Sequence, residues 1–318
     1  MAGSVSVDVT DLPAAILANH PGLESAVADD GVDDLPAIQA AVDWLSAELA
    51  AGNFNSAILQ IPSGEFHLSA SLKINATLWI QGGGVEQTTL THTSDLSFDG
   101  RDVTDREVQL SSVNRAGYLI DLDRDADASV VSDLTLAGPE MLGGLFAFRA
   151  DQLRVENVRF ESFVWSGLRT FNIDGLSVKD SEFVDAGGRR IRDDGSLAAT
   201  GGGIFSTFTI NAEISNNRFL RSSDSDVNFY GIKGRKWTDS RIHHNTINTN
   251  FAIELPFEND RNVEIDHNFL GGVVSIPKFA GGPEFELGES FHIHHNYFNR
   301  SYSIEGARNG LLVEKNVF

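Results

Sequence analysis

Apolar and polar positions in the second half of the chain recur in one short pattern. A β-branched residue precedes two polar residues, a small or Asn position, one further residue and a large apolar side chain. The pattern reads VSDLTL at 131–136, VENVRF at 155–160, VKDSEF at 178–183 and ISNNRF at 214–219. It continues as IHHNTI at 242–247, IDHNFL at 265–270, IHHNYF at 293–298 and VEKNVF at 313–318. Successive starts are 24, 23, 36, 28, 23, 28 and 20 residues apart. Inside each unit the apolar positions alternate as in short strands and show no 3.6-residue period. Repeats of this length built from several strands predict a parallel β-solenoid, each coil stacked about 4.8 Å above the last. Asn217, Asn245, Asn268, Asn296 and Asn316 hold the fourth position of five successive units. Stacked amides there predict an Asn ladder at a tight, αL-tolerant turn.

Upstream, Asp34 to Gly52 predicts a helix, with Asp34 as its cap, Pro36 in the first turn and Gly52 as its stop. Ile38, Ala41, Val42, Leu45 and Leu49 fall on one apolar stripe. A solenoid end exposes apolar side chains and unpaired strand edges, so this helix is expected to cap it. The chain thus divides into an N-terminal segment with its capping helix (1–55) and coils (56–318), within one domain spanning 1–318.

The stretch DDGVDDLPAIQAAVDW, followed by LQIPSGEFHL and LWIQGGG, resembles the N-terminal cap of the pectate-lyase-like right-handed parallel β-helix superfamily. With the Asn ladder, the likeness runs from about residue 27 to 318. It implies an all-β solenoid, a right-handed parallel β-helix with an N-terminal capping α-helix. That superfamily holds polysaccharide lyases, glycosidases, uronate epimerases, tailspikes and adhesins, so the fold does not assign the chemistry. The sequence ends at NVF, on the ladder of its final coil. An uncapped end of that kind leads to the expectation of truncation or of a homo-oligomeric partner covering it.

Composition narrows the classes. The 318 residues carry 45 acidic and 24 basic side chains, for a net charge of -21. That balance argues against nucleic-acid or anionic-membrane binding, which needs a positive face. Cysteine is absent, which removes thiolate metal sites and thiol catalysis. No apolar run is long enough to span a bilayer. High acidity with six lysines suits a secreted, periplasmic or extracellular setting.

Aligning the strand that precedes each ladder unit on Ile204, Ile232, Ile253, Ile276 and Ile304 sends the next residues outward: Phe205, Lys233, Glu254, Pro277 and Glu305. In the superfamily this strand commonly floors the sugar groove. Lys233, Lys236 and Lys278 are half of the lysines, and Arg235 and Arg308 lie on the same edge. Such a cluster on an acidic chain predicts an anionic ligand, most simply an acidic polysaccharide, uronate-containing or sulfated. Local pairing of these cations with Glu254, Glu258 and Glu305 is the structural alternative. Cleavage by β-elimination would use Lys233 or Lys278 as base and Arg308 to stabilise the intermediate. Glu254, Glu258 and Glu305 could hold a Ca²⁺ that neutralises the uronate. An inverting hydrolase would instead pair Glu254 with Glu305, two coils or about 9.6 Å apart at the backbone. A non-catalytic glycan-binding or tailspike-like solenoid is the third reading.

Arg235, Lys236, Trp237, Glu258 and His292 complete the expected substrate contacts, Trp237 by stacking on a sugar ring. His244, His267 and His295 precede the ladder Asn in three consecutive units, which reads as a stacked turn column before it reads as a metal stripe. The alternating Asp of DLDRDADAS at 121–129 lack the Gly of a Ca²⁺ loop and predict a solvated loop.

Overall fold

Period-two burial turns each coil into short strands; Ser56–Ile61, for example, buries Ala57, Leu59 and Ile61 and leaves Ser56 and Gln60 outside. The computed structural model describes residues 3–93, 115, 117–139, 141–191, 197–222, 229–255, 260–276, 289–300, 302–304 and 309–318. Three parallel faces follow one another around the coil, and the chain forms a right-handed parallel β-helix with a helix at its N-terminal end. Among the described residues, the one antiparallel pairing joins Arg189–Ile191 to Leu197–Thr200.

The repeat maps directly onto the register. On the first face its opening residues stack as Val131, Val155, Val178, Ile214, Ile242, Ile265, Ile293 and Val313. Its closing residues stack on the second face as Leu136, Phe160, Phe183, Phe219, Ile247, Leu270 and Phe298. The rings of Phe160, Phe183 and Phe219 lie nearly parallel at 4.7 and 4.6 Å. Burial contributes roughly 1.5–3 kcal/mol per large apolar side chain. On the third face Ile120, Leu145, Leu168, Ile204, Ile232, Ile253 and Val274 point inward.

The Asn ladder forms at the corner between the first two faces. Asn245 N–H donates to Asn268 Oδ1 at 2.9 Å, and Asn268 N–H to Asn296 Oδ1 at 3.0 Å. Each side-chain amide also donates to the next Asn and to a carbonyl of the coil below, as Asn268 Nδ2 does to Asn296 Oδ1 and Ile242 O. The αL position is not the ladder residue itself but the one before it: Asn216, His244, His267, His295 and Lys315 all have φ between 52° and 58°.

The helix spans Leu35–Ala50 and buries Ala37, Ile38, Ala41, Val42 and Leu45. Asp34 does not cap it through its side chain. Its carboxylate instead accepts from the backbone N–H groups of His67 (2.9 Å) and Val27 (3.0 Å). Asp33 accepts from Ser69 N–H and Asp29 from Glu65 N–H, at 2.9 and 2.8 Å. Three aspartates of DDGVDD therefore satisfy alternate N–H groups along the lowest strand edge, which would otherwise recruit another strand. Gln39 serves the neighbouring edge, accepting from Lys73 N–H at 2.9 Å and donating to Lys73 O at 3.0 Å.

Candidate functional site

The outward positions of the third face carry the chemistry. Asp121, Phe146, Arg169, Phe205, Lys233 and Glu254 stack one per coil, followed by Ser275 and Ser303. Much of this column is covered: Phe146, Arg169 and Phe205 are buried, and Lys233 is 5% exposed. Arg169 lies 3.9 Å above the Phe205 ring, and its Nη1 donates to Phe205 O and Thr207 Oγ1 at 3.0 and 3.1 Å. Lys233 Nζ is 5.5 Å from the Phe205 ring centre, 5.4 Å from that of Tyr230, and 3.2 Å from Glu254 Oε1. One aromatic ring thus serves cations from the coil below and the coil above. A covered charge is tolerated when such partners surround it. At the lower end, Asp121 is buried beneath Arg115 Nε (2.8 Å) and Lys73 Nζ (2.6 Å), so it is an ion-pair centre and not part of a solvated loop. Beside it, Tyr118 meets Ser166 Oγ at 3.2 Å, and burial pushes its hydroxyl up to about 12.

Two residues farther along each strand the face becomes partly accessible, although Thr207 stays buried. Phe148, Phe171, Thr207 and Arg235 share one register line, with Phe208 at the adjoining turn. Phe148 and Phe171 stack at 5.8 Å, and Phe171 meets Phe208 edge-on at 5.3 Å. Cations flank these rings: Arg149 lies 5.2 Å from Phe148 and Lys236 lies 4.4 Å from Phe208. Phe208 is 38% exposed. A polar cleft opens at the corner between the second and third faces, lined by Arg221, Ser222, Asn248, Thr249, Asn250 and Arg300.

Of the residues expected at the site, the structure brings Lys233 and Glu254 together. Lys233 and Glu254 do occupy neighbouring rungs on the outward side, but as a covered ion pair and not as a solvent-facing strip. Above them a bulge between Phe251 and Ile253 sets Val274, not Ile276, level with Ile253. Ile276 pairs with Ile304, and the register line over Glu254 runs through Ser275 and Ser303, while Pro277 lies outside the described residues. Lys278, Glu258, Glu305 and Arg308 lie outside the described residues. Trp237 is fully buried in the main core and donates its indole N–H to Ser206 O at 3.1 Å, so it does not face a sugar. Lys236 and Arg235 do lie on the third face beside the accessible rings. A calcium ion does not fit Glu254 as placed, because that carboxylate already faces an ammonium group. The aromatic strip and the arginines of the cleft escaped the sequence reading. An apolar residue in a strand carries no mark of the face it takes, and only the register puts Phe148 and Phe171 on the outward side.

His292 belongs to a different face. It projects from the first face at the rung of Glu264, two residues from His294. His294 Nε2 lies 2.8 Å from Glu264 Oε1, and His292 Nε2 lies 3.4 Å from Glu314 Oε1. Among the described residues, Glu264, His292 and His294 bring three ligand-type atoms within 4.8 Å of one another. Nearby, the rings of His244, His267 and His295 stack at 5.0 Å, so the turn column expected from the sequence exists. Asp266 sits beneath it, fully buried. Burial pushes its carboxyl up, but hydrogen bonds from Arg241 and His267 outweigh that and hold it down at about 2.

No family model matches the chain, and no curated protein matches it. The fold is similar to the crystal structure of PfbA, a surface adhesin of Streptococcus pneumoniae, at 14% identity over 98% of this chain and 77% of that one, with a TM-score of 0.62. It is also similar to the alginate lyase from Paenibacillus sp. str. FPU-7, at 13% identity over 87% and 95% of the two chains, with a TM-score of 0.56. At these identities the likeness concerns architecture. Among the described residues no helix is long and apolar enough to cross a membrane.

Proposed function

We propose that this protein is an extracellular, carbohydrate-active β-helix that binds an acidic polysaccharide along its third face and cleaves it by β-elimination. The observation that carries this reading is the accessible strip of Phe148, Phe171 and Phe208 bordered by Arg149 and Lys236. Aromatic faces pack against the C–H faces of sugars, and flanking cations select chains bearing carboxylate or sulfate. On a protein of net charge -21, cations gathered around one exposed and two half-buried rings have a local purpose. Arg221 and Arg300 line a separate cleft at the opposite edge of the third face, a second place for anionic groups. One fold neighbour is an alginate lyase, which makes uronate chains the first substrates to try.

In the elimination, a base takes the proton beside the uronate carboxylate, the glycosidic C–O bond breaks, and the leaving sugar oxygen is protonated. The products are an unsaturated uronate and a new chain end. Lys233 is the candidate base; it acts in that role once substrate draws Glu254 away and the covered ammonium has given up its own proton to solvent, leaving the amine to take the substrate's. The Lys233–Glu254 pair favours a second reading, retention without cleavage, to which the surface-adhesin neighbour also inclines. Incubation with alginate, pectate, glycosaminoglycans and sulfated algal glycans separates the two. Ultraviolet absorbance of the unsaturated uronate supports elimination. Retention of the glycan without new ends supports binding alone, new reducing ends without absorbance require a hydrolase, and no interaction with any acidic glycan overturns the assignment.

A further inference from the structure

Six of the nine histidines, His243, His244, His267, His292, His294 and His295, fall in three successive repeat units of the first face, away from the strip described above. Their arrangement is not uniform. His244, His267 and His295 form the stacked αL column, while His292 and His294, two apart on one strand, project from the same side. Glu264 lies on the rung below, in register with His292, and Glu314 on the rung above, in register with His294. Two imidazoles from one coil are thus bracketed by one carboxylate from each neighbouring coil.

We propose that Glu264, His292 and His294, with Glu314 as a fourth donor, form a binding site for a zinc-type divalent ion that clips three consecutive coils together. The ligand atoms of the first three lie within 4.8 Å of one another, and tetrahedral zinc needs donors about 3.4 Å apart, a difference that side-chain rotation closes. The supporting shell is in place. His295 Nδ1 lies 2.7 Å from His294 Nδ1, which aims His294 Nε2 at the site. Arg241 Nε stands 3.4 Å from the second oxygen of Glu264, and the Arg241 guanidinium is itself held by two 2.8 Å bonds to buried Asp266. The metal-free cluster is self-consistent, since His295 N–H can donate to His294 Nδ1 and His294 Nε2–H to Glu264 at 2.8 Å. A bound ion takes the place of that Nε2 proton, which moves to Nδ1 of the same ring, and His295 turns from donor to acceptor by shifting its own proton to Nε2, so both rings stay neutral. With two imidazoles in the set, zinc, nickel or copper bind ahead of calcium or magnesium. His292 and Glu264 side chains remain 38% and 39% exposed, which leaves the ion an entry path and room for water.

The test is isothermal titration calorimetry of the full chain, stripped with chelator, against Zn²⁺ and separately against Ca²⁺. One Zn²⁺ per chain, a raised melting temperature and tenfold or greater weakening in both His292→Ala and Glu264→Gln are expected. His244→Ala, in the stacked column, should change the affinity less than threefold. The Glu264→Gln side chain keeps the wild-type shape, so it reports on the ligand set even if His292→Ala folds poorly. No Zn²⁺ binding, preference for Ca²⁺, binding unchanged in Glu264→Gln, or loss confined to His244→Ala would each overturn the site.

Discussion

Lys233 Nζ stands 3.2 Å from Glu254 Oε1 across one rung of the third face, and the lysine side chain is almost wholly covered. Removing the carboxylate takes this counter-charge from a desolvated ammonium, whereas removing both charges leaves no ammonium to compensate. Glu254→Gln should therefore lower unfolding free energy by about 2 kcal/mol, less than for a deeply buried pair because Glu254 is partly solvated. Lys233→Met combined with Glu254→Gln should recover at least half of that loss. Urea unfolding of the two single variants and the double variant measures the coupling. Additive losses would show that the pair is not coupled.

The ladder gives a second stability prediction. Asn268 donates to Ile242 O, Asp266 O and Asn296 Oδ1, and its own Oδ1 accepts from the backbone and side chain of Asn245. Asn268→Ala strands buried partners above and below, and each costs about 1 kcal/mol or more. A loss of about 2–4 kcal/mol is expected, with glycan binding on the third face retained by the folded variant. Wild-type urea midpoints for Asn268→Ala would contradict the structural role of the amide stack.

Acid should act on the same edge. The Asp266 carboxyl is lowered from its ordinary value to about 2, so the unfolded chain binds its proton before the folded chain does. The contribution is complete above the unfolded value near 4 and disappears as pH falls toward 2, amounting to ~2 kcal/mol. Stability measured between pH 5 and 2 should fall less steeply in Asp266→Asn than in the wild type by about that amount. Parallel pH profiles for the two proteins would remove Asp266 as a contributor.

The helix cap, the coil period and the Asn ladder were legible because each rests on a local rule repeated many times. Apolar alternation specifies which face of a strand is buried, and the Asn at the fourth position names its own corner. The site was legible only to the level of the strand. Placing Glu254 over Lys233 followed from aligning Ile232 with Ile253, but the bulge before Ile253 shifted every rung above it. The extra residue of that bulge, Ala252, leaves no mark in FAIE at 251–254, and in GGVVSIP at 271–277 Val274 and Ile276 are equally good inward residues. Burial was the other gap. Nothing in IFSTFT at 204–209 distinguishes the covered Phe205 from the accessible Phe208 three residues later.

Phe208 itself separates stability from function. It is held at φ 56°, in a turn column where the coil below places Asn172 at φ 55° and the coil above places Lys236 at φ 58°. Asn is at ease in that conformation, whereas an aromatic side chain is strained there by about 1 kcal/mol. Phe208→Asn relieves the strain and loses the edge-on contact with Phe171, a term of similar size. Stability should consequently stay within about 0.5 kcal/mol of wild type. Binding of an acidic polysaccharide should weaken by about fivefold to tenfold, through loss of the ring and of its pairing with Lys236. Affinity electrophoresis in gels containing alginate or pectate, run beside urea unfolding, reads both quantities. Equal mobility of Phe208→Asn and wild type in every acidic glycan tried would show that the aromatic strip does not touch the ligand.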